Sequence, residues 1–300
     1  MLWAPVNMMI GLAKDKGFSA LGIGCVRWLS LSILLTGLLL LPKFRQFSGY
    51  KPMSRKDWGL SVLIGLLFFG PSHLLYYASM GLTSDVEGAV LLTTSPLWTA
   101  IISYFILKEE KISPRRWGAI LLSFVGAYIV AIGFKVPDLL GHTKGNLMFG
   151  AGVIIECTMG VIAARISRRN SGVSVLVGQM WGGAMAFWLA AVALGSSLPL
   201  VVPIFSFNSF YPLLYLIVIS GLITFTIWYR VVESSPLTLL VVVMAIQPPI
   251  AALLSWLVNH QIPSQNTIIG AFVILAALLV GFLGEKTNLK ENLDPPGPAG

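Results

Sequence analysis

Long apolar runs alternate with short charged or Gly/Pro-containing breaks along this chain, and that alternation limits what it can fold into. Ten runs cover residues 1–13, 18–41, 58–79, 86–107, 117–134, 147–166, 173–194, 211–232, 236–258 and 267–283. Most approach the roughly 20 residues a helix needs to cross a hydrocarbon layer about 30 Å thick. Backbone N–H and C=O groups in lipid must be satisfied within the chain, so repeated runs of this length predict a bundle of membrane-spanning helices. The period-two pattern of a membrane β-barrel is absent. Composition points the same way, with 56% hydrophobic and 11% charged residues, outside the range of soluble globular domains.

Both ends depart from the pattern. The run 1–13 is short for a crossing, which leads us to expect further residues upstream. No basic segment precedes it and no small-residue cleavage site follows it, so it does not read as a signal peptide. From Glu285 the sequence "EKTNLKENLDPPGPAG" is polar and rich in Pro and Gly, and residues 285–300 are expected to form a disordered tail.

The formal charge of +8 does not point to nucleic acid, because the basic residues lie in short loops between apolar runs rather than along one amphipathic face. Threading ten spans through a bilayer places fifteen of the Lys and Arg residues on one side and four on the other, with Arg27 inside a span. The basic side is the cytoplasmic one by the positive-inside rule, which puts both termini in the cytoplasm. An odd number of spans would scramble this segregation. Cys25 and Cys157 both fall inside apolar runs and read as buried thiols.

Sliding the chain by 152 residues superimposes Tyr77 on Tyr229, Val90 on Val242, Pro96 on Pro248, Ala100 on Ala252, Ser103 on Ser255, Gly118 on Gly270 and Ala119 on Ala271. An internal repeat of this kind divides the chain into residues 1–134 and 147–284, five spans each. Because five is odd, the second half enters the membrane upside down relative to the first. The expected fold is therefore all-α: ten transmembrane helices as two inverted five-helix repeats around a central cavity, an architecture typical of secondary transporters.

The segment "PLWTAIISYFILKEEKISPRRWG" (residues 96–118) has a proline-opened helix, an acidic turn and a next helix entered by glycine. With "CVRW" around Arg27 it resembles the EamA-type carriers of the drug/metabolite transporter superfamily, and the resemblance extends over nearly the whole chain. It implies a multi-pass protein of the cell membrane (the cytoplasmic membrane if bacterial) that moves small organic molecules such as amino acids or drug-like amphipathic compounds. It also implies export rather than uptake.

Glu156 is the residue that most demands explanation. It lies about ten residues from either end of its run, near the bilayer midplane, where an ionised side chain costs roughly 2.5–3.5 kcal/mol on insertion scales. A carboxylate there needs a partner or a wet cavity. It is the candidate to bind a cationic group of the cargo and for proton coupling; the competing reading is a glutamate that only locks two helices together. Arg27, the only basic residue deep within a span, lies at a similar depth and is either its partner or a snorkelling cation. Gln179 occupies the position of Arg27 in the second half. His73, Tyr76 and Tyr77 share one helix face behind Pro71, whose missing N–H leaves a carbonyl free for another donor. Ser95, Trp98 and Gln247 flank Pro96 and Pro248, where prolines would free carbonyls and provide hinges. Gly178, Gly182 and Ala186 form a small-residue stripe that reads as a helix contact.

No metal-ligand cluster, P-loop or nucleotide fingerprint occurs in the sequence, so no cofactor is expected, and uphill transport would draw on an ion or substrate gradient. The competing class is an integral-membrane enzyme acting on a lipid-linked substrate, with Glu156 and His73 as general acid and base. A third class is a structural or sensory membrane protein without a cavity. The expected partners are a small-molecule substrate and the bilayer.

Overall fold

A computed structural model describes residues 5–79, 82–83, 85–106, 113–135, 142–195, 207–235 and 264–293, with residues 240, 246, 249, 250 and 253 isolated between the last two stretches. The described elements are helices: α1 Val6–Asp15, α2 Ala20–Leu38, α3 Pro42–Ser48, α4 Arg55–Ser79, α5 Asp85–Thr93, α6 Ser95–Ile106, α7 Pro114–Ile132, α8 Thr143–Ser167, α9 Gly172–Ala193, α10 starting at Phe207 and ending at Ser234, and α11 Gln265–Leu293. Among the described residues five stretches are long and apolar enough to cross a bilayer: α2, α4, α8, α9 and Phe210–Ser234 of α10. Large apolar side chains stand exposed along them, such as Leu63, Leu67, Leu189 and Val192. Helices apolar on their outer faces as well as their inner ones belong in lipid.

Helix starts follow local chemistry. Ser19, Ser54 and Ser113 each accept the N–H three residues on, 3.0–3.3 Å away, satisfying a donor the first turn cannot. Pro114 then fits the first position of α7, where a missing N–H costs nothing. Gly133 ends α7 at φ 72°, a conformation open to glycine. At the other end of the chain α11 runs on to Leu293, past Glu285, where the sequence reading starts the disordered tail. Lys286, Leu289, Lys290 and Glu291 are good helix formers. Residues 294–300 lie outside the described residues, as does most of the run 236–258.

The chain divides into two compact units that cut across the halves of the sequence. One contains residues 1–92 and 137–235, hence α1 to α5 and α8 to α10; the other contains residues 93–136 and 236–300, hence α6, α7 and α11. In the first unit, Trp28, Phe69, Phe187, Leu31, Leu35, Met180 and Leu213 form a closed core. The small-residue stripe of α9 packs on α4: Cβ atoms added at Gly178 and Gly182 would stand 2.6 Å from Ser61 Cβ and 2.0 Å from the Val62 carbonyl oxygen, and Ala186 abuts Gly70. In the second unit α7 and α11 meet at Gly126 and Gly270, where backbone lies against backbone. Ala100, Ala119 and Ala277 extend that core.

Among the described residues two helices widen into π turns, Gly65–Phe69 in α4 and Tyr215–Ile223 in α10. Adding 152 to the first range gives 217–221, inside the second. A proline lies near each, Pro71 and Pro212, and by withholding an N–H each disturbs the i to i−4 ladder.

The run 86–107 is broken. A turn at Thr94 separates α5 from α6, and Pro96 is the second residue of α6. The division between the two compact units falls at this break, between Leu92 and Thr93.

Candidate functional site

The first unit gathers the polar residues of its helices around Glu156. Glu156 is half-buried near the middle of α8. Tyr76 of α4 interacts with its carboxylate, and the Arg27 guanidinium lies within Coulombic range of it. Tyr77 and Tyr229 feel the same charge. The buried Tyr76 hydroxyl nonetheless closes no hydrogen bond of normal geometry; its ring is held edge-on by Phe149, with centroids 4.9 Å apart.

Arg27 is 3% exposed, so it does not snorkel. Its terminal nitrogens donate to the Tyr77 hydroxyl at 2.8 Å and the Ser220 hydroxyl at 2.7 Å. Neither acceptor is a carboxylate, so the pairing with Glu156 considered from the sequence is replaced by two neutral hydroxyls, from α4 and from the π turn of α10. The guanidinium also lies 4.2 Å from the Trp28 ring centroid, a distance at which the ring face attracts a cation. The Arg27 Nε and the Trp28 Nε1 have no partner.

A neutral version of this clamp stands 152 residues on. The Tyr229 hydroxyl donates to Gln179 Oε1, both groups buried, and Gln179 Nε2 has no partner. Arg27 with Tyr77 and Gln179 with Tyr229 are therefore equivalent pairs in the two halves of the chain.

His73 belongs to the wall rather than to the polar cluster. Its Nδ1 lies 2.9 Å from the Phe69 carbonyl oxygen, which also accepts from the Ser72 hydroxyl at 2.9 Å. A carbonyl only accepts, which assigns the proton to Nδ1. The ring stacks on Phe69 at 4.3 Å and meets Trp28 edge-on at 4.8 Å. The π turn ahead of Pro71 thus contains a carbonyl that accepts from two side chains, and it is that of Phe69 rather than that of Leu67, the i−4 partner that Pro71 lacks.

Of the remaining candidates, Ser95 and Trp98 sit on α6 in the other compact unit, with Trp98 37% exposed. Gln247 and Pro248 lie outside the described residues. Sequence reasoning did not single out Ser220, Trp28, Thr226 or the role of Tyr229. Tyr229 had a usable signal, its register with Tyr77, and Trp28 adjoins Arg27 in "CVRW"; nothing in the sequence marks Ser220. Thr226 is buried with an unpartnered hydroxyl. Among the described residues no group of three His, Cys, Asp or Glu could hold a metal.

Buried polar groups are ordinarily satisfied, and orphaned ones mark a place for water or a ligand. Here the Arg27 Nε, Trp28 Nε1, Gln179 Nε2 and Thr226 hydroxyl are all orphaned within one helical unit. Among the described residues the Glu156 carboxylate has no cation in contact and the Arg27 guanidinium no carboxylate in contact, an arrangement that suits a ligand with charges of both signs.

The EamA-like transporter family matches residues 1–132 and 143–283. The chain therefore belongs to the EamA-like transporter family, a class of multi-pass membrane proteins that accounts for the apolar helices. The uncharacterized transporter YdfC of Bacillus subtilis (strain 168) is 22% identical over 255 residues, 85% of this chain and 81% of that protein. The uncharacterized transporter YetK of the same organism is 26% identical over 87% of this chain and 78% of that one. The S-adenosylmethionine uptake transporter of Rickettsia prowazekii (strain Madrid E) is 25% identical over 85% of this chain and 81% of its own length. A solved crystal structure aligns with a TM-score of 0.75 at 18% identity, covering 95% of this chain and 94% of that one; at that identity the likeness shows the fold.

Proposed function

We propose that the protein is a secondary transporter that carries small organic metabolites bearing an ammonium and a carboxylate, such as amino acids, across a cytoplasmic membrane by alternating access. Glu156 takes the ammonium and Arg27 the carboxylate, with Tyr76, Tyr77 and Gln179 lining the site. The observation that carries this reading is the separation of the two charges, each buried or half-buried and neither neutralised by contact with the other. Ten spans in two inverted halves with both termini cytoplasmic remain the topology behind the proposal, supported by the recurrence of the tyrosine clamp and the π turn at a spacing of 152. The turn at Thr94, at the division between compact units, is the proposed hinge.

Export is the direction the family resemblance implies, whereas the Rickettsia relative is named for uptake, of a molecule that itself contains an amino-acid zwitterion. The enzyme alternative pairs Glu156 with His73 as acid and base, but the Nδ1 of His73 is committed to a backbone carbonyl and its ring is stacked in the core, which favours transport. Counterflow in liposomes, run for both orientations with amino acids, polyamines and quaternary ammonium compounds, tests the reading. Wild type should exchange zwitterions, and Glu156→Gln should lose that exchange together with any dependence on a proton gradient. Equal exchange by wild type and Glu156→Gln would sink the assignment of the carboxylate, and an unaltered proton dependence in Glu156→Gln would sink the coupling.

A further inference from the structure

The helix α3 and the end of α2 form a surface unrelated to the central site. Between Lys43 and Lys56 the chain reads "KFRQFSGYKPMSRK", five cations and no acid. Proline at the first position starts α3 directly after the "LLLL" that ends the second apolar run, so the short helix lies where the chain passes from hydrocarbon to headgroups. Leu38, Leu41, Pro42, Phe44 and Phe47 line an open groove of about 610 Å³ with Lys43 at its edge. Phe47 is 72% exposed and Leu41 54%, while Phe44 packs into the helical core. Arg45 donates its Nε to the Leu39 carbonyl and lies over Tyr50, pinning α3 to the end of α2. Asp57, the first acid after this stretch, accepts from the Ser54 hydroxyl and from Asn170. Lys43 therefore belongs to the lining of an apolar groove, in a stretch of sequence with four further cations and no acid.

We propose that this groove is a binding site for an anionic diacyl phospholipid, with an acyl chain laid along Leu38, Leu41, Phe44 and Phe47 and the headgroup phosphate on the Lys43 ammonium. Charge complementarity selects the occupant. Clustered Lys and Arg beside a span attract acidic headgroups, whereas a choline headgroup would bring its own cation against Lys43, Lys51, Arg55 and Lys56. Aromatic and basic side chains at the headgroup level are suited to fix such a lipid in place. The proposal stands apart from the transport reading and holds whatever the cargo is.

The test is native mass spectrometry of the full chain in detergent, equilibrated with phosphatidylglycerol, with phosphatidylcholine of the same acyl chains, or with glycerol phosphate alone. Wild type should retain phosphatidylglycerol over phosphatidylcholine by about fivefold for the one well-placed cation. Lys43→Gln should remove that preference, and Phe47→Ser should weaken retention of both lipids. Both residues are exposed, so melting temperatures in phosphatidylcholine should match wild type and report any folding defect. Equal retention of the two lipids by wild type, an undiminished preference in Lys43→Gln, or glycerol phosphate competing as well as the intact lipid would each overturn it.

Discussion

Arg27 with Tyr77 and Gln179 with Tyr229 occupy equivalent positions in the two halves of the chain, yet they differ in charge and in reach. Each joins the second apolar run of its half to the third through a tyrosine hydroxyl. Arg27 has a further acceptor in Ser220; the residue equivalent to Ser220 is Phe68, which offers none. The same frame thus holds a cation with two acceptors in one half and a neutral amide with one in the other. Under the proposed function, unlike side chains at positions 152 apart suit a cargo with two unlike ends.

The sharpest way to break that contrast is to make the second clamp charged. Gln179→Arg would bury a guanidinium at a fully buried position, beside the Tyr229 hydroxyl and with Phe68 where Ser220 stands for Arg27. Uncompensated buried charges cost about 3–5 kcal/mol, so the variant should give little folded protein on fluorescence-detected size exclusion. If it elutes and melts like wild type, the second acceptor is irrelevant to holding the charge.

The reverse change, Arg27→Gln, should fold, because glutamine at this place already bonds a tyrosine in the other half. What is lost is charge. Hydrogen bonds to charged groups contribute about 1.5–3 kcal/mol, so under the proposed function the half-saturating concentration of zwitterionic cargo should rise roughly ten- to hundredfold. Amines lacking a carboxylate should be affected far less. A uniform loss for both kinds of cargo would assign Arg27 to structure alone.

Tyr229→Phe is a milder test. It would leave the Gln179 amide without a protein partner, since Nε2 is already orphaned. An unsatisfied buried polar group costs about 1–3 kcal/mol, which should lower the melting temperature measurably. Tyr229→Phe combined with Gln179→Leu, which removes both partners, should recover most of that loss. Failure of the double variant to recover would mean the pair is not an isolated bond.

These clamps also mark how far the sequence could be read. Apolar run lengths announced the long helices, and the spacing of 152 put Tyr229 in register with Tyr77 and Gln179 with Arg27. Depth along a helix can be counted from residue number, so Glu156 and Arg27 were legible as neighbours in height. Azimuth and reach cannot be counted that way, because they depend on how the helices pack. The hydroxyls that claim Arg27 come from α4 and α10, and Ser220 carries no pattern that would reveal it. Nor did periodicity expose the two compact units, since their boundary lies inside the apolar run 86–107 and follows tertiary contacts instead. The π turn of α4 was partly legible: Pro71 flags a disturbed ladder, but not its form.

The smallest expected effect concerns packing at a contact that the repeat preserves with its sizes exchanged. Phe69 of α4 lies on Gly183 of α9, and the equivalents of these two residues are Gly221 of α10 and Leu31 of α2, which also touch. Large meets small in both places, with the roles reversed between helices. A Cβ at Gly183 would stand 2.6 Å from the Phe69 ring, which is wholly enclosed; at Gly221 it would meet the Leu216 carbonyl at 2.9 Å and the Leu31 methyls at 3.0 and 3.4 Å. Overpacking a closed core costs about 1–3 kcal/mol. A rigid ring turned edge-on to Trp28 has nowhere to go, whereas a leucine can rotate its methyls. Gly183→Ala should therefore fall in that range and Gly221→Ala below it, read as melting temperatures of the purified variants. Equal losses would indicate that the carbonyl at residue 216, and not the apolar partner, limits the space beside Gly221.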